Sequence, residues 1–597
     1  MAKELPKRSE VKVEDTWDLT ALYENEEAFD AAVKKVLEIV DELASYEGKV
    51  CDTAENLLAC EKLSDELNVV FERVYSYASK IYDTDTGDSS ALARLSKIKT
   101  MVAKVMEKTA FLSSEISDAD EELLYTFIDR NKELALYKRE IELILRNRPH
   151  KLSKEMEQLL AASYNATNVA EDTYSVLSNA DIEFGEITDS DGEKVKITQG
   201  RYISLVSEAD RRVREDAYKT YYASYKKLKN TFAALYYGQV KQLDFYASAK
   251  NYESTLEAAL FANEVPVSVY ENLVDAVNQN LDKLHRYVDI RKKCLGVDTF
   301  RMYDIYPPMV KDVKVKYTYE EAKKLVMEAL KPLGEDYLKV VQEAFDNRWI
   351  DVYENKNKRS GAYSSTVYGV HPYMLLNYDG KLDDVFTVIH EMGHSMHSYY
   401  SNKTQPSVYA DYKIFVAEVA STCNEILLLK YMLAKTTDKN EKAYLLNHYM
   451  DMFKGTVFRQ TQFAEFELET NRLVEKGEAL TAELLCESYS NINKKYYGPN
   501  VEYDEEIGHE WQRIPHFYYN FYVYQYATSF CASVAIAEKI LNDPSFVTKY
   551  IDFLSGGCSM SPIDLLKKVD VNVENPEYIN TALSVMNEVM DEFEKLI

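Results

Sequence analysis

From about Glu26 to Leu177 the apolar positions recur at intervals of three and four residues, with Lys and Glu filling the places between them. That period turns one stripe of each helix toward a core and the rest toward water, so the segment predicts an antiparallel bundle of long helices. No proline falls between Pro6 and Pro149, and the 597 residues include only 18 glycines and 13 prolines. Breakers are scarce where strands and tight turns would need them. Between Asp181 and Ile197 the period changes: Ile182-Glu-Phe184, Asp189-Ser-Asp-Gly192 and Val195-Lys-Ile197 read as a hairpin closed by a glycine-containing turn. A lobe boundary is placed just after it, near Gly200, dividing the chain into an N-terminal helical lobe over 1–200 and a second lobe over 201–597.

Helical periodicity resumes at Ile203 and is broken at Pro266, Pro307-Pro308 and Pro332. A second strand-like stretch runs from Gly361-Ala-Tyr-Ser-Ser-Thr-Val-Tyr368 through Pro372-Tyr-Met-Leu-Leu-Asn-Tyr378, after which helices continue. The fold expected is mainly α with a small β-sheet. Most of the 48 tyrosines are expected to pack in helix interfaces with the hydroxyl reaching water or a neighbour.

Charge narrows the partners. The balance of 71 basic against 99 acidic residues leaves a net charge of −28, which repels phosphate backbones and anionic membrane surfaces. Neither nucleic acid nor membrane is expected, and the acidity serves either solubility or the attraction of cationic substrates. The first ten residues lack the apolar run of a secretory signal, and no apolar stretch of about 18 residues occurs. Seven cysteines, at 51, 60, 294, 423, 486, 531 and 558, show no metal-knuckle spacing and read as reduced thiols of a cytoplasmic protein. Asn165-Ala-Thr167 and Asn402-Lys-Thr404 match the glycosylation pattern and, without export, are read as chance. Oligomeric state is not written in the sequence.

The chemistry concentrates in one run. Four of the nine histidines lie between His371 and His397, three of them in His390-Glu391-Met392-Gly393-His394-Ser395-Met396-His397. Residues four apart on a helix lie one above the other, so His390 and His394 can direct two imidazoles at one tetrahedral metal. Glu391, beside the first of them, is placed to act as general base on a water at the metal. Val385, Ile389, Met392 and Met396 form the apolar face of this helix, Asp383 or Asp384 can cap its start, and Gly393 points to close packing beneath the metal. A metzincin would carry Gly at 397 and His at 400; the chain has His397 and Tyr400, so its third ligand lies elsewhere. Glu418 sits among Val416, Ala417, Val419 and Ala420, where a carboxylate without a partner is costly, and metal ligation explains it. Glu425, two turns on, either orients a ligand histidine from behind or is a surface acid, and His397 is structural or supporting rather than a ligand. An oxyanion also needs donors. His516, after the break at Pro515, is followed by Tyr519, Tyr522 and Tyr526 at helical spacing, a stripe that equally suits a core.

These runs, together with Phe415-Val-Ala-Glu-Val-Ala-Ser421, Pro515-His-Phe-Tyr518, Tyr522-Val-Tyr-Gln-Tyr-Ala527 and Thr16-Trp-Asp-Leu19, closely resemble the oligoendopeptidase F family, grouped with the thimet-oligopeptidase-like zincins. The resemblance implies a two-lobed helical shell around a deep substrate channel, with the second lobe catalytic. It implies one zinc ion per chain held by His390, His394 and Glu418, with Glu391 as base and His516 and a following tyrosine acting on the oxyanion. The interval after His516 is shorter than in the thimet branch, which orders the tyrosines Tyr526, Tyr522, Tyr519 without deciding among them. Gly361, Ala362 and Tyr363 would offer a sheet edge that pairs with substrate backbone. The activity implied is hydrolysis of internal bonds in short peptides rather than folded proteins. Two alternatives are trimming of residues from peptide ends and a peptide-binding scaffold with a vestigial motif; the intact Glu391 argues against the second.

Overall fold

The computed structural model describes residues 4–310 and 316–597 and leaves out the side chain of Asn165, so Met1–Lys3 of the N-terminal segment and that side chain lie outside the described residues. Helices dominate, as the periodicity predicts. The first compact unit gathers the described residues of 1–149, 315–431 and 536–570, and the second those of 150–314, 432–535 and 571–597. This division differs from a single cut near residue 200. Chain order does not decide it; packing between distant segments does.

In the first unit, helix α1 (Glu26–Ala44) opens where the Asn25 side chain accepts the Ala28 N–H at 2.9 Å. It buries Phe29, Val33, Val36, Val40 and Leu43, the three- and four-residue spacing read from the sequence. Each such side chain contributes about 1.5–3 kcal/mol relative to exposure. Helices α2 (Ala54–Thr84) and α3 (Ser89–Thr109) complete the bundle. The core does not stop there: it runs without a break from α1 to Val367, Tyr373 and Leu375 of the strand region, with Trp17 against the rings of Tyr363 and Tyr373 at 6.4 and 6.1 Å.

Those last residues belong to a three-stranded sheet of β1 (Ile350–Asp351), β2 (Tyr363–Ser365) and β3 (Tyr373–Leu375), in the order β1-β3-β2. β3 pairs parallel with β1 and antiparallel with β2, Ser364 opposite Met374. Alternation sends Tyr373 and Leu375 to the bundle and Met374 to the opposite face, where helix α4 (Leu382–Thr404) packs. β2 is left as an edge. β1 is invisible to sequence patterning because it is two residues long and wholly buried. Its Asp351 is fully buried, 2.8 Å from the equally buried Lys358 ammonium and paired with the Arg8 guanidinium.

The second unit contains the expected hairpin, Glu186–Thr188 against Lys194–Lys196, with Gly192 at φ +86° in its turn. Its tyrosines pack as the composition suggests: Tyr270 donates to the Ala464 carbonyl at 2.8 Å, Tyr489 to Glu510 at 2.7 Å, and Tyr236 meets Thr470 at 2.7 Å. All seven cysteines are free, and among the described residues no helix is long and apolar enough to cross a membrane.

Removing the Asp351 carboxylate strands the enclosed Lys358 ammonium and takes its partner from the part-buried Arg8 guanidinium. Asp351→Ala is therefore expected to destabilise the first unit by about 3–5 kcal/mol, and Asp351→Asn by less, as read from urea unfolding followed by circular dichroism. A shift of the midpoint below that given by a surface Asp→Ala control would show that the cluster holds nothing together.

Candidate metal centre and active site

Helix α4 begins after a turn at Gly380. Neither Asp383 nor Asp384 stands at its N-cap, which is Lys381; Asp384 caps from inside the first turn, accepting the N–H of Lys381 at 2.8 Å and of Asp379 at 3.0 Å. Val385, Ile389, Met392 and Met396 are all buried, so the apolar face is fixed and His390 and His394 share the one beside it. Helix α5 (Ile414–Lys435) crosses at Gly393. A Cβ on that glycine would lie 2.5 Å from the Ser421 Cα and 2.7 Å from the Ala420 carbonyl oxygen. Only a residue without a side chain permits the two backbones to meet so closely.

That contact sets the position of Glu418, one turn before Ser421. Its Oε2 stands 3.4 Å from His390 Nε2 and 3.4 Å from His394 Nε2, and the three side chains form the one group of His, Cys, Asp or Glu among the described residues able to hold a metal ion. Ser421 donates to the same Oε2 at 2.9 Å. Behind His390, Glu425 pairs with its Nδ1 and leaves Nε2 for the centre. Asn424 spans the crossing, donating to the Ile389 carbonyl at 3.3 Å. Burial disfavours a charged His390, yet the carboxylates of Glu425, Glu418 and Glu391 outweigh it and hold its pKa up to about 9 without an ion. Burial alone would raise Glu418, but the two imidazoles draw it down to about 2. A carboxylate held ionised between two imidazole nitrogens is a donor set suited to a divalent cation.

Glu391 is 7% exposed, and burial raises its carboxyl above the ordinary range while the neighbouring imidazoles pull the other way. The strand β2 passes beside it: Ser364 hydroxyl and Ser395 hydroxyl lie 2.8 Å apart, joining the edge strand to α4. Tyr363 turns its side chain inward, donating to Asp83 at 2.7 Å, so β2 presents backbone rather than that ring. Gly361 and Ala362 precede the strand proper and line a cavity of about 190 Å³ with Asn377, whose side chain donates to the Gly361 carbonyl at 2.7 Å. A larger cavity of about 590 Å³ runs along Ser364 to Tyr368 between Lys80 and Tyr412.

Residues 204–585 match the model of peptidase family M3, and residues 115–184 that of oligopeptidase F. The chain belongs to peptidase family M3. It is 46% identical over its whole length to oligopeptidase PepF of Bacillus subtilis, covering 89% of that protein, and 39% identical to group B oligopeptidase PepB of Streptococcus agalactiae, covering 99% of this chain and 98% of that one. The crystal structure of oligoendopeptidase-F from Enterococcus faecium superposes with a TM-score of 0.74 at 37% identity, over 96% of this chain and 99% of that one. The M3 family is metal-dependent, and among the described residues His390, His394 and Glu418 are a group that could hold an ion.

Other residues of this M3 peptidase are sorted by their surroundings. His397 is completely buried, stacked on Tyr412 at 3.7 Å and beside Phe553, with neither ring nitrogen hydrogen-bonded. Burial, with His394 nearby, drops its pKa to about 3, and it serves as a neutral core ring. His371 stacks on Trp349 at 4.6 Å and takes no part in the metal group. In the second unit, His516 lies 5.5 Å from Tyr519 and 6.1 Å from Tyr526, with Tyr522 5.4 Å from Tyr526, ring centre to ring centre. The tyrosines do not share one helix face as their spacing suggests: the helix starts only at Tyr524, and Asn520 and Phe521 take left-handed conformations before it. They gather by a turn instead. Ser421 and Asn424, which brace the crossing, carry no signal in the sequence beyond lying on the same helix as Glu418.

Because the Gly393 contact is backbone against backbone, Gly393→Val is expected to push α5 outward and carry Glu418 away from both histidines. Metal content measured by atomic emission after dialysis should then fall at least about tenfold in affinity. Retention of wild-type occupancy in a folded Gly393→Val protein would show that the close approach is not what sets the ligand geometry.

Proposed function

We propose that this chain is a zinc-dependent endopeptidase that hydrolyses internal bonds of short peptides in the cytoplasm. The observation that carries the metal is the equal 3.4 Å spacing of the Glu418 oxygen from the two imidazole nitrogens. Ligand atoms around a tetrahedral zinc with bonds of about 2.0–2.1 Å lie about 3.3–3.4 Å apart, and two histidines with one carboxylate leave a position open for catalysis. Zinc there would supply a Lewis acid that polarises the scissile carbonyl and makes water a better nucleophile. The substrate class is drawn from the relatives, which are named oligopeptidases and an oligoendopeptidase.

The chain's own residues then have distinct tasks. Glu391 accepts a proton from the attacking water at its carboxylate and passes it to the leaving amine; its burial, which raises its pKa, makes it the better acceptor. The β2 edge pairs with the backbone of an extended peptide, which orients the bond without selecting its side chains. His516, with Tyr526 first and Tyr522 second, is assigned to the developing oxyanion. Burial lowers the pKa of His516, so it acts as a neutral donor. Seven unpaired thiols accord with a reducing compartment.

Two measurements test this reading. Removing the metal with a chelator should abolish cleavage of a defined peptide and zinc should restore it, while Glu391→Gln should keep its zinc and lose about 10²–10⁴ in kcat. Full activity of the metal-free protein would end the assignment. Product lengths from peptides of about 5 to 20 residues, which as extended strands span about 3.3 Å per residue, should show internal cuts. The same sequence held in a structured loop of a folded protein should survive. Release of only terminal residues would favour the trimming alternative, and equal cleavage of the folded protein would refute the restriction to short peptides.

A further inference from the structure

Glu467 lies in the middle of the helix Arg459–Glu475, 1% exposed, with no ion-pair partner among the described residues. Its Oε1 accepts the backbone N–H of Phe521 at 2.7 Å, and its Oε2 has no hydrogen-bond partner. A carboxyl group so placed is costly, and burial pushes its pKa up to about 8. Its one partner sits at an unusual piece of backbone. Asn520 and Phe521 have φ of +51° and +57°, consecutive left-handed residues without a glycine, and for a bulky residue such as Phe that conformation is an outlier that the surroundings must impose. Phe521 is itself buried, its ring edge-on to Tyr270 at 5.6 Å. This turn joins the short helix Pro515–Tyr518, which carries His516, to the helix Tyr524–Asn542, which carries Tyr526.

We propose that Glu467 is a positioning residue: by accepting the Phe521 N–H inside the core it imposes the left-handed turn that brings Tyr519 and Tyr526 beside His516 and Tyr522 beside Tyr526. The inference rests on the assignment of His516 and the tyrosines to the transition state. A side chain that merely filled space could be apolar, and a Leu here would cost no desolvation.

The test compares Glu467→Gln, which keeps an oxygen acceptor, with Glu467→Leu, which fills the site without one. Glu467→Gln should stay within about threefold of the parent kcat, whereas Glu467→Leu should lose about tenfold or more in kcat with KM and zinc content little changed. Hydrogen exchange over residues 517–523, read by mass spectrometry, should be slow in the parent and in Glu467→Gln and fast in Glu467→Leu. Rapid exchange of this segment in the unmodified protein would overturn the proposal whether or not the Leu variant folds. So would an unaltered kcat in folded Glu467→Leu, or a loss carried by KM alone. Unaltered kcat in both His516→Ala and Tyr526→Phe would instead overturn the assignment on which the proposal rests.

Discussion

The site depends on one contact, the meeting of two helix backbones at Gly393. At this point the Ser421 Cα stands 2.5 Å from where a Cβ would lie. Glu418 lies one turn from the contact on α5, His390 and His394 lie within one turn of it on α4, and a carboxylate oxygen reaches both imidazoles at the same distance. Ser421 and Asn424, next along α5, then tie the carboxylate and the Ile389 carbonyl into the crossing. The precision needed of a metal site is thereby placed on two regular helices rather than on loops.

The histidines of α4 show how strongly surroundings decide chemistry. His390 is ringed by Glu425, Glu418 and Glu391 and is held basic; His397, two turns further along the helix, meets Tyr412 and Phe553 and is held neutral. Both are largely withdrawn from solvent. What separates them is the presence of carboxylates, which compensate desolvation in one case and are missing in the other. Buried acids recur as fixed points: Asp351 gathers Arg8 and Lys358 beside the sheet, Glu510 gathers Arg459 and Arg513, and Glu467 holds a main-chain N–H. In a chain with a net charge of −28, these enclosed carboxylates act as structural anchors inside the fold, beside exposed acids such as Asp88 and Asp120 that cap helices.

The sheet has a comparable economy. Three strands of two or three residues gain stability only because Tyr373 and Leu375 enter the bundle core while Met374 faces α4. β2 is an edge strand whose Ser364 backbone reaches Glu391, while Tyr363 turns its side chain inward to Asp83.

What the sequence determined by itself is what local spacing controls. His390 and His394 fall on one helix face because they are four residues apart, Glu418 is conspicuous because its neighbours are apolar, and Glu425 follows it by two turns. The bundle, the hairpin and the strand-like stretch are legible for the same reason, since a period of 3.6 or 2 is a property of adjacent residues. Tertiary structure decided everything that requires segments far apart in the chain to meet. Gly393 announces a close approach without naming Ser421, β1 is too short and too buried to show a period, and the compact units combine stretches separated by more than a hundred residues. The tyrosines after His516 mislead sequence reading in an instructive way: their spacing is helical, yet a left-handed turn held by Glu467, 54 residues earlier, gathers them instead. Spacing fixes the direction in which a side chain leaves its own helix; packing fixes what it finds there.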